Sequence, residues 1–321
     1  MSKQLHRCAR RRSGTRIAAL SALGALLTAA ALQASEDEAL SNEDEASQPQ
    51  SQGDSRLTLL EFGVDGDGTG AAGVFTSVAV PIGANDTIRG AYDHTTFDDF
   101  EVLLSDGTIR TVDAKPATRI AAGYRHGFNR VGLNFGAERW GNEDQLQIDD
   151  LSVGVDYRAE RADWSLDLID RSTDIVFGAA PGGPREVTVD GWGISTGFGY
   201  LTTPVDFYLS LSWYDYGDEL DTDLIQAVLG NRSPLSVADS LIDRSALIGG
   251  RHQFDIWSFG MEAGWYRGAV TSSETKTLAA IFGLTLSPRV DLQFTLGGVS
   301  TDLEDTTAYG VLSLQAALGG S

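Results

Sequence analysis

Residues with side chains suited to catalysis or metal binding are few in this chain, and they are scattered. The single cysteine, Cys8, precedes an apolar core instead of following it, so it does not suit lipid acylation. If the N-terminal segment is removed, no thiol remains for a disulfide, a nucleophile or a zinc–thiolate site. His94 stands beside Asp93, with Asp98 and Asp99 close by, and a histidine among carboxylates can serve as a general base. No nucleophile–base–orienter set can be assembled around it, and no His-x-Ser pairing occurs, so the chain is not expected to be an enzyme. His126 and His252 fall beside expected turns. The run Asp65-Gly66-Asp67-Gly68-Thr69-Gly70 begins like a calcium loop, with alternate carboxylates, but the downstream bidentate Glu is missing. A glycine-rich turn between strands has the same composition, and neither metal nor cofactor is expected.

A larger set of charged residues shares a different property. Arg89, Arg119, Arg125, Arg130, Glu138, Asp156, Asp163, Asp167, Asp206, Glu262 and Asp291 fall at the inferred inward positions of runs in which apolar side chains recur every second residue. Val205, Phe207, Leu209, Leu211 and Trp213 alternate with Asp206, Tyr208, Ser210, Ser212 and Tyr214. Val131, Leu133, Phe135 and Ala137 alternate with Arg130, Gly132, Asn134, Gly136 and Glu138; Val290, Leu292, Phe294 and Leu296 alternate with Asp291, Gln293, Thr295 and Gly297. A period of two puts one set on each face of a β-strand. The runs are about ten residues long, roughly twice the length usual in a soluble sandwich and the length needed to span a bilayer at a tilt.

Fourteen such segments fit between residues 56 and 318, the one over Leu241–Gly250 alternating least well; twelve is the alternative. Short turns fall near Ile82–Asn85, His126–Asn129, Ala159–Ala162, Leu201–Pro204 and Ser287–Arg289. Between them come longer polar links at 95–116, 141–147, 171–186, 217–245, 268–276 and 300–306. Aromatics near strand ends (Trp140, Tyr157, Trp164, Tyr200, Trp213, Trp265) suit interfacial girdles. Outside the N-terminus no stretch of about 18 strongly apolar residues occurs, which excludes a helical membrane protein. The expected fold is a closed all-β antiparallel transmembrane barrel.

The N-terminus is organised differently. Lys3, Arg7, Arg10, Arg11, Arg12 and Arg16 precede an Ala/Leu-rich core from Ile17 to Ala31 and a small-residue zone around Ala31–Ser35. Residues 1–34 therefore read as a cleaved secretory signal. Its removal leaves 18 basic against 45 acidic residues, a net charge of −27, which excludes nucleic-acid binding. Residues 35–55 carry seven acids among Ser, Gln, Asn and Ala and are expected to be a disordered tail. Residues 56–321 form the barrel.

Alternating segments, short turns facing longer loops and aromatic strand ends together resemble the Gram-negative outer-membrane β-barrel superfamily, porin-like in size. Many members end in an aromatic residue, whereas this chain ends Leu318-Gly319-Gly320-Ser321; the alternation of Leu312, Leu314, Ala316 and Leu318 persists nonetheless. The resemblance implies a bacterial outer-membrane location with both termini periplasmic. It also implies contact with outer-membrane lipid and lipopolysaccharide, and a lumen passing small hydrophilic solutes or ions. Two alternatives stay open: a barrel that displays its loops to a partner, and a hydrolase at the mouth built on His94. Inward charges could brace the lumen or line a pore. The segment 217–245, with helical patterns over Thr222–Leu229 and Ser236–Leu241, could constrict the mouth or cap it. No pattern sets an oligomeric state.

Overall fold

The computed structural model describes residues 57–68, 70–98, 100–103, 109–112, 115–142, 146–177, 185–202, 204–217, 241–269, 272, 274–301 and 304–319. The expectations for 1–34, 35–55 and the central part of the 217–245 link lie outside the described residues. Among the described residues, sixteen strands run in chain order. They are β1 (Thr58–Asp67), β2 (Ala72–Ile82), β3 (Asp86–Thr96), β4 (Phe100–Leu103), β5 (Ile109–Val112), β6 (Ala117–Phe128), β7 (Val131–Asn142) and β8 (Leu146–Arg158). There follow β9 (Ala162–Phe177), β10 (Arg185–Thr202), β11 (Val205–Asp215), β12 (Ile242–Gln253), β13 (Trp257–Gly268), β14 (Glu274–Ser287), β15 (Val290–Thr301) and β16 (Glu304–Leu318).

Fourteen of these close into one antiparallel barrel in which each strand pairs with its neighbours in sequence. β1 seals the barrel against β16, from Thr58↔Leu318 to Asp67↔Tyr309. The alternating segment through Leu312, Leu314, Ala316 and Leu318 thus completes the sheet. β4 and β5 form a separate two-stranded sheet within the 95–116 link, which the sequence reading left without structure. The weakly alternating segment is a full barrel strand. β12 runs to Gln253, beyond the expected Gly250, and turns through Phe254–Ile256. Its pairing with β13 shifts between Ile242 and Arg244, an irregularity that interrupts the alternation there.

Side-chain direction follows from the barrel's closure. Phe62, Val64, Leu151, Val153, Leu168, Leu209, Ile248, Leu278, Leu296 and Leu312 are exposed on the outer wall. A wall of this kind is stable only in lipid, since water would solvate it poorly. On β10, outward residues from Trp192 to Tyr200 cover eight steps, about 27 Å along the strand and about 21 Å across the membrane at a tilt of ~40°. Beyond that level the same face turns polar. Ser172 donates to Asp190 at 2.8 Å and Thr188 to Asp174 at 2.6 Å, and Arg139 pairs with Asp149 at 2.7 Å. The long ends of β7–β10 therefore rise out of the hydrocarbon.

Trp213 and Trp265 share the outward parity, as expected of girdle residues. Trp140 does not. It stands on the inward face of β7, against a buried cluster of Leu146, Ile148, Ile175, Val189, Tyr216 and Leu241. Its parity follows Gly136 and Glu138, and position near a strand end says nothing about which face a residue occupies.

Candidate functional site: the lumen wall

With fourteen strands about 4.8 Å apart and tilted by ~40°, the barrel is about 28 Å across from backbone to backbone. What occupies that width differs between the two sides of the wall.

On β13–β16, β1 and β2 the inner face is packed. Tyr266, Ala279, Val299 and Tyr309 form a buried cluster, and Tyr208 donates to Glu262 at 2.6 Å. Rings on this side lie over glycines of the neighbouring strand. Phe75 pairs across from Gly63, and Tyr309 from Gly297. A Cβ at Gly63 would stand 2.0 Å from the Phe75 ring, and one at Gly297 2.4 Å from that of Tyr309. These glycines let a bulky ring lie along the wall, where a side chain would push it into the lumen.

On β3 and β6–β12 the inner face borders an open cavity of about 440 Å³. Its charged lining comes from Arg89, Arg119, Glu138, Asp150, Asp167 and Arg171. Arg119 on β6 grips Glu138 on β7 through Nε and Nη2, both at 2.8 Å. Arg171 on β9 grips Asp150 on β8 at 2.8 and 2.6 Å. The Arg171 guanidinium also sits 4.1 Å from the centroid of Tyr214. These planar two-point contacts are the strong form of the arginine–carboxylate bond, and each joins adjacent strands. Both pairs run along the wall between neighbouring strands, and their residues also line the cavity in front of it.

A third pair lies toward the short-turn end. Arg125 on β6 reaches Asp156 on β8 at 2.8 and 2.7 Å, passing over β7 at Gly132. A Cβ at Gly132 would meet Asp156 Oδ1 at 2.3 Å and Arg125 Nε at 2.7 Å, so the missing side chain is what lets the pair span a strand. Asn134 adds a donor to Asp156 at 3.0 Å.

The remaining wall of the cavity is neutral. In cross-strand register, Asp167 meets Ser195, Ser195 meets Ser212, and Ser212 meets Ser245. One pair toward the short turns, Ser165, Gly197, Ser210 and Leu247 continue in the same way. Trp140, Ile148 and Tyr214 complete the lining on the long-loop side.

Of the residues expected inside, Arg89, Arg119, Glu138 and Asp167 meet at this cavity, and Arg125 and Asp156 lie below it. Asp163 lies on the inner face of β9 nearby, across from Arg158 on β8. Asp206 approaches Arg251 at 3.7 Å. Glu262 belongs to the packed side, and Asp291 shares the inner parity of β15 near the short-turn end. Arg130 is a correction: it sits exposed in the two-residue turn between β6 and β7, where Asn129 has φ 61°. The alternation continues through this position in the sequence, but the strand ends one residue later and its parity no longer aims a side chain inward. Sequence reading missed Asp150 and Arg171. Arg171 had been placed in a link, although it continues the inward series Asp163, Ser165, Asp167 and Ile169.

The other candidates separate. His94 and Asp93 are consecutive on β3 and point to opposite faces; His94 Nδ1 meets Thr118 Oγ1 at 3.2 Å. In the calcium-like run, Asp67 Oδ1 accepts from Ala71 N at 3.1 Å and so serves the β1–β2 turn.

No family model matches the chain, and no curated protein matches its sequence. Similar folds occur among solved structures. The CymD monoaromatic hydrocarbon channel has a TM-score of 0.51 at 10% identity, over 82% of this chain and 89% of that one. A loop-deletion form of OmpT, an outer membrane protein of Vibrio cholerae, gives 0.45 at 8% identity over 82% and 99%. OpdK of Pseudomonas aeruginosa with vanillate gives 0.40 at 12% identity over 83% and 99%. The closed-barrel fold is shared with the CymD channel, in keeping with the lipid-facing outer wall.

Proposed function

We propose that this protein is an outer-membrane channel that passes small hydrophilic solutes through its lumen. The observation that carries the reading is the cavity of about 440 Å³ whose ion pairs follow the wall instead of crossing the space. A barrel built only as a scaffold gains most by joining opposite sides, and here the described charge pairs join near neighbours. A leader at residues 1–34 would deliver the chain to the envelope, and the short turns and both termini would face the periplasm. Lipid and lipopolysaccharide would meet the outer wall. No catalytic step is proposed.

The packed side around Tyr208, Glu262, Tyr266 and Tyr309 favours a second reading, a closed barrel that presents its loops to a partner. Planar-bilayer recording of the refolded protein separates the two. The channel reading expects stepwise ionic conductance. A folded, heat-modifiable barrel that conducts at no voltage would leave the display reading in its place.

A further inference from the structure

We infer that the channel's solutes are neutral and polyhydroxylated, of the size of a monosaccharide or disaccharide. This rests on the channel reading and names what the same cavity would take.

The charges in the lining balance, three arginines against three carboxylates. Arg119 and Arg171 are each held by a carboxylate in two-point contact, and Arg89 acts electrostatically on Asp167. An ion passing these six side chains meets alternating signs, so an ionic solute gains little from the lining itself. A hydroxyl gains more. A carboxylate oxygen that accepts one arginine N–H keeps a second lone pair, so Glu138 and Asp150 can still accept from a solute O–H.

The facing wall points the same way. Ser195, Ser210, Ser212 and Ser245 line it in successive registers. Serine hydroxyls both donate and accept, as sugar hydroxyls do, and carry no charge that would favour either ion. The third component is aromatic. Trp140 and Tyr214 enter the lining among Ile148, Ile242 and Leu247. A pyranose has a hydrocarbon face as well as a hydroxylated rim. Aromatic surface beside hydroxyls and balanced charge pairs offers a partner to each, while a simple ion or a small charged metabolite uses only one. The cavity volume lies within the range of small-ligand sites.

The test uses the full refolded barrel in bilayers and liposomes. Swelling rates are compared for galactose, galacturonate and galactosamine, which share a ring and differ in charge. The same protein is then titrated with maltose while its salt current is recorded. The expected results are faster entry of galactose than of either charged form and a saturable block of current by maltose. In Trp140→Ala the half-blocking concentration should rise about fivefold, the effect of losing one aromatic contact, measured against whatever current that variant carries. Trp140→Phe, which keeps a ring, should fall between the two and guards against misfolding of the alanine form. Entry of galacturonate or galactosamine as fast as galactose, or a maltose block unchanged in both variants, overturns the inference while the channel reading stands. A barrel closed to salt removes both.

Discussion

Glu138→Gln offers a direct test of whether the wall's ion pairs face the solute path. The substitution keeps the size of the side chain and an oxygen that can accept from Arg119, but it removes one negative charge from a balanced lining. Taken as a sphere, a cavity of 440 Å³ has a radius of about 5 Å, so the centre of a passing ion lies about 7 Å from a lining charge. At that distance a unit charge is worth ~0.6 kcal/mol at the dielectric of water, and about half as much after screening by 0.1 M salt. Cations lose an attraction and anions lose a repulsion, so the permeability ratio shifts by twice the screened value. The cation-to-anion ratio should therefore fall about threefold, and a lower local dielectric would enlarge the change. Reversal potentials across a KCl gradient measure it. Arg119→Gln should move the ratio the opposite way, and the double variant should return near the starting value. An unchanged ratio in both single variants, with conductance retained, would refute the placement of this pair on the conduction path.

Three further outcomes follow from the wall itself. Gly297→Val should displace the Tyr309 ring and cost about 1–3 kcal/mol in urea unfolding from lipid vesicles; Tyr309→Ala in the same chain should recover part of that loss, and no recovery would sink the ring-over-glycine account. Phe282→Arg, in the middle of the outward apolar face of β14 that runs from Leu278 to Leu286, should destabilise by about 2–4 kcal/mol, whereas Lys276→Arg, beyond that face on the loop side, should be neutral in the same assay. Single-tryptophan variants retaining Trp213 or Trp265 should be quenched by lipids brominated near the headgroup, while a variant retaining only Trp140 should respond to aqueous iodide and not to brominated lipid. Strong lipid quenching of Trp140 would return it to the outer girdle.

The fold was legible in the sequence because lipid imposes a strict rule on one face. Every second residue of each spanning strand must be apolar, so Val205–Trp213 and Val131–Ala137 announce strands without any knowledge of their partners. Where the rule relaxes, legibility falls. β12 alternates poorly because its outward face near the loops carries Arg244, and its register shifts between Ile242 and Arg244. The end of β9 from Arg171 and the first two residues of β10 were read as a link, because outward residues there such as Ser172 and Asp174 stand above the hydrocarbon, where an outward residue can be polar.

The lumen obeys no such rule, and this limits what sequence could say about the site. An inward position need only fit its neighbours, so it holds arginine, serine, glycine, tyrosine or isoleucine, and parity alone identifies it. Parity puts Arg89, Arg119, Glu138 and Asp167 on the inner face, where they border the cavity. It could not say that Arg125 would bond across an intervening strand, since that depends on Gly132 leaving room beneath the pair. Nor could it say that Arg171 would choose Asp150, because the choice is set by cross-strand register, Asp150↔Arg171. Register is fixed by turn lengths and by the outer face together. The arrangement of charge inside this barrel is therefore a consequence of how its outside meets lipid: a register shift of two residues would re-pair the lumen and keep the apolar face outside, whereas a shift of one would turn that face inward.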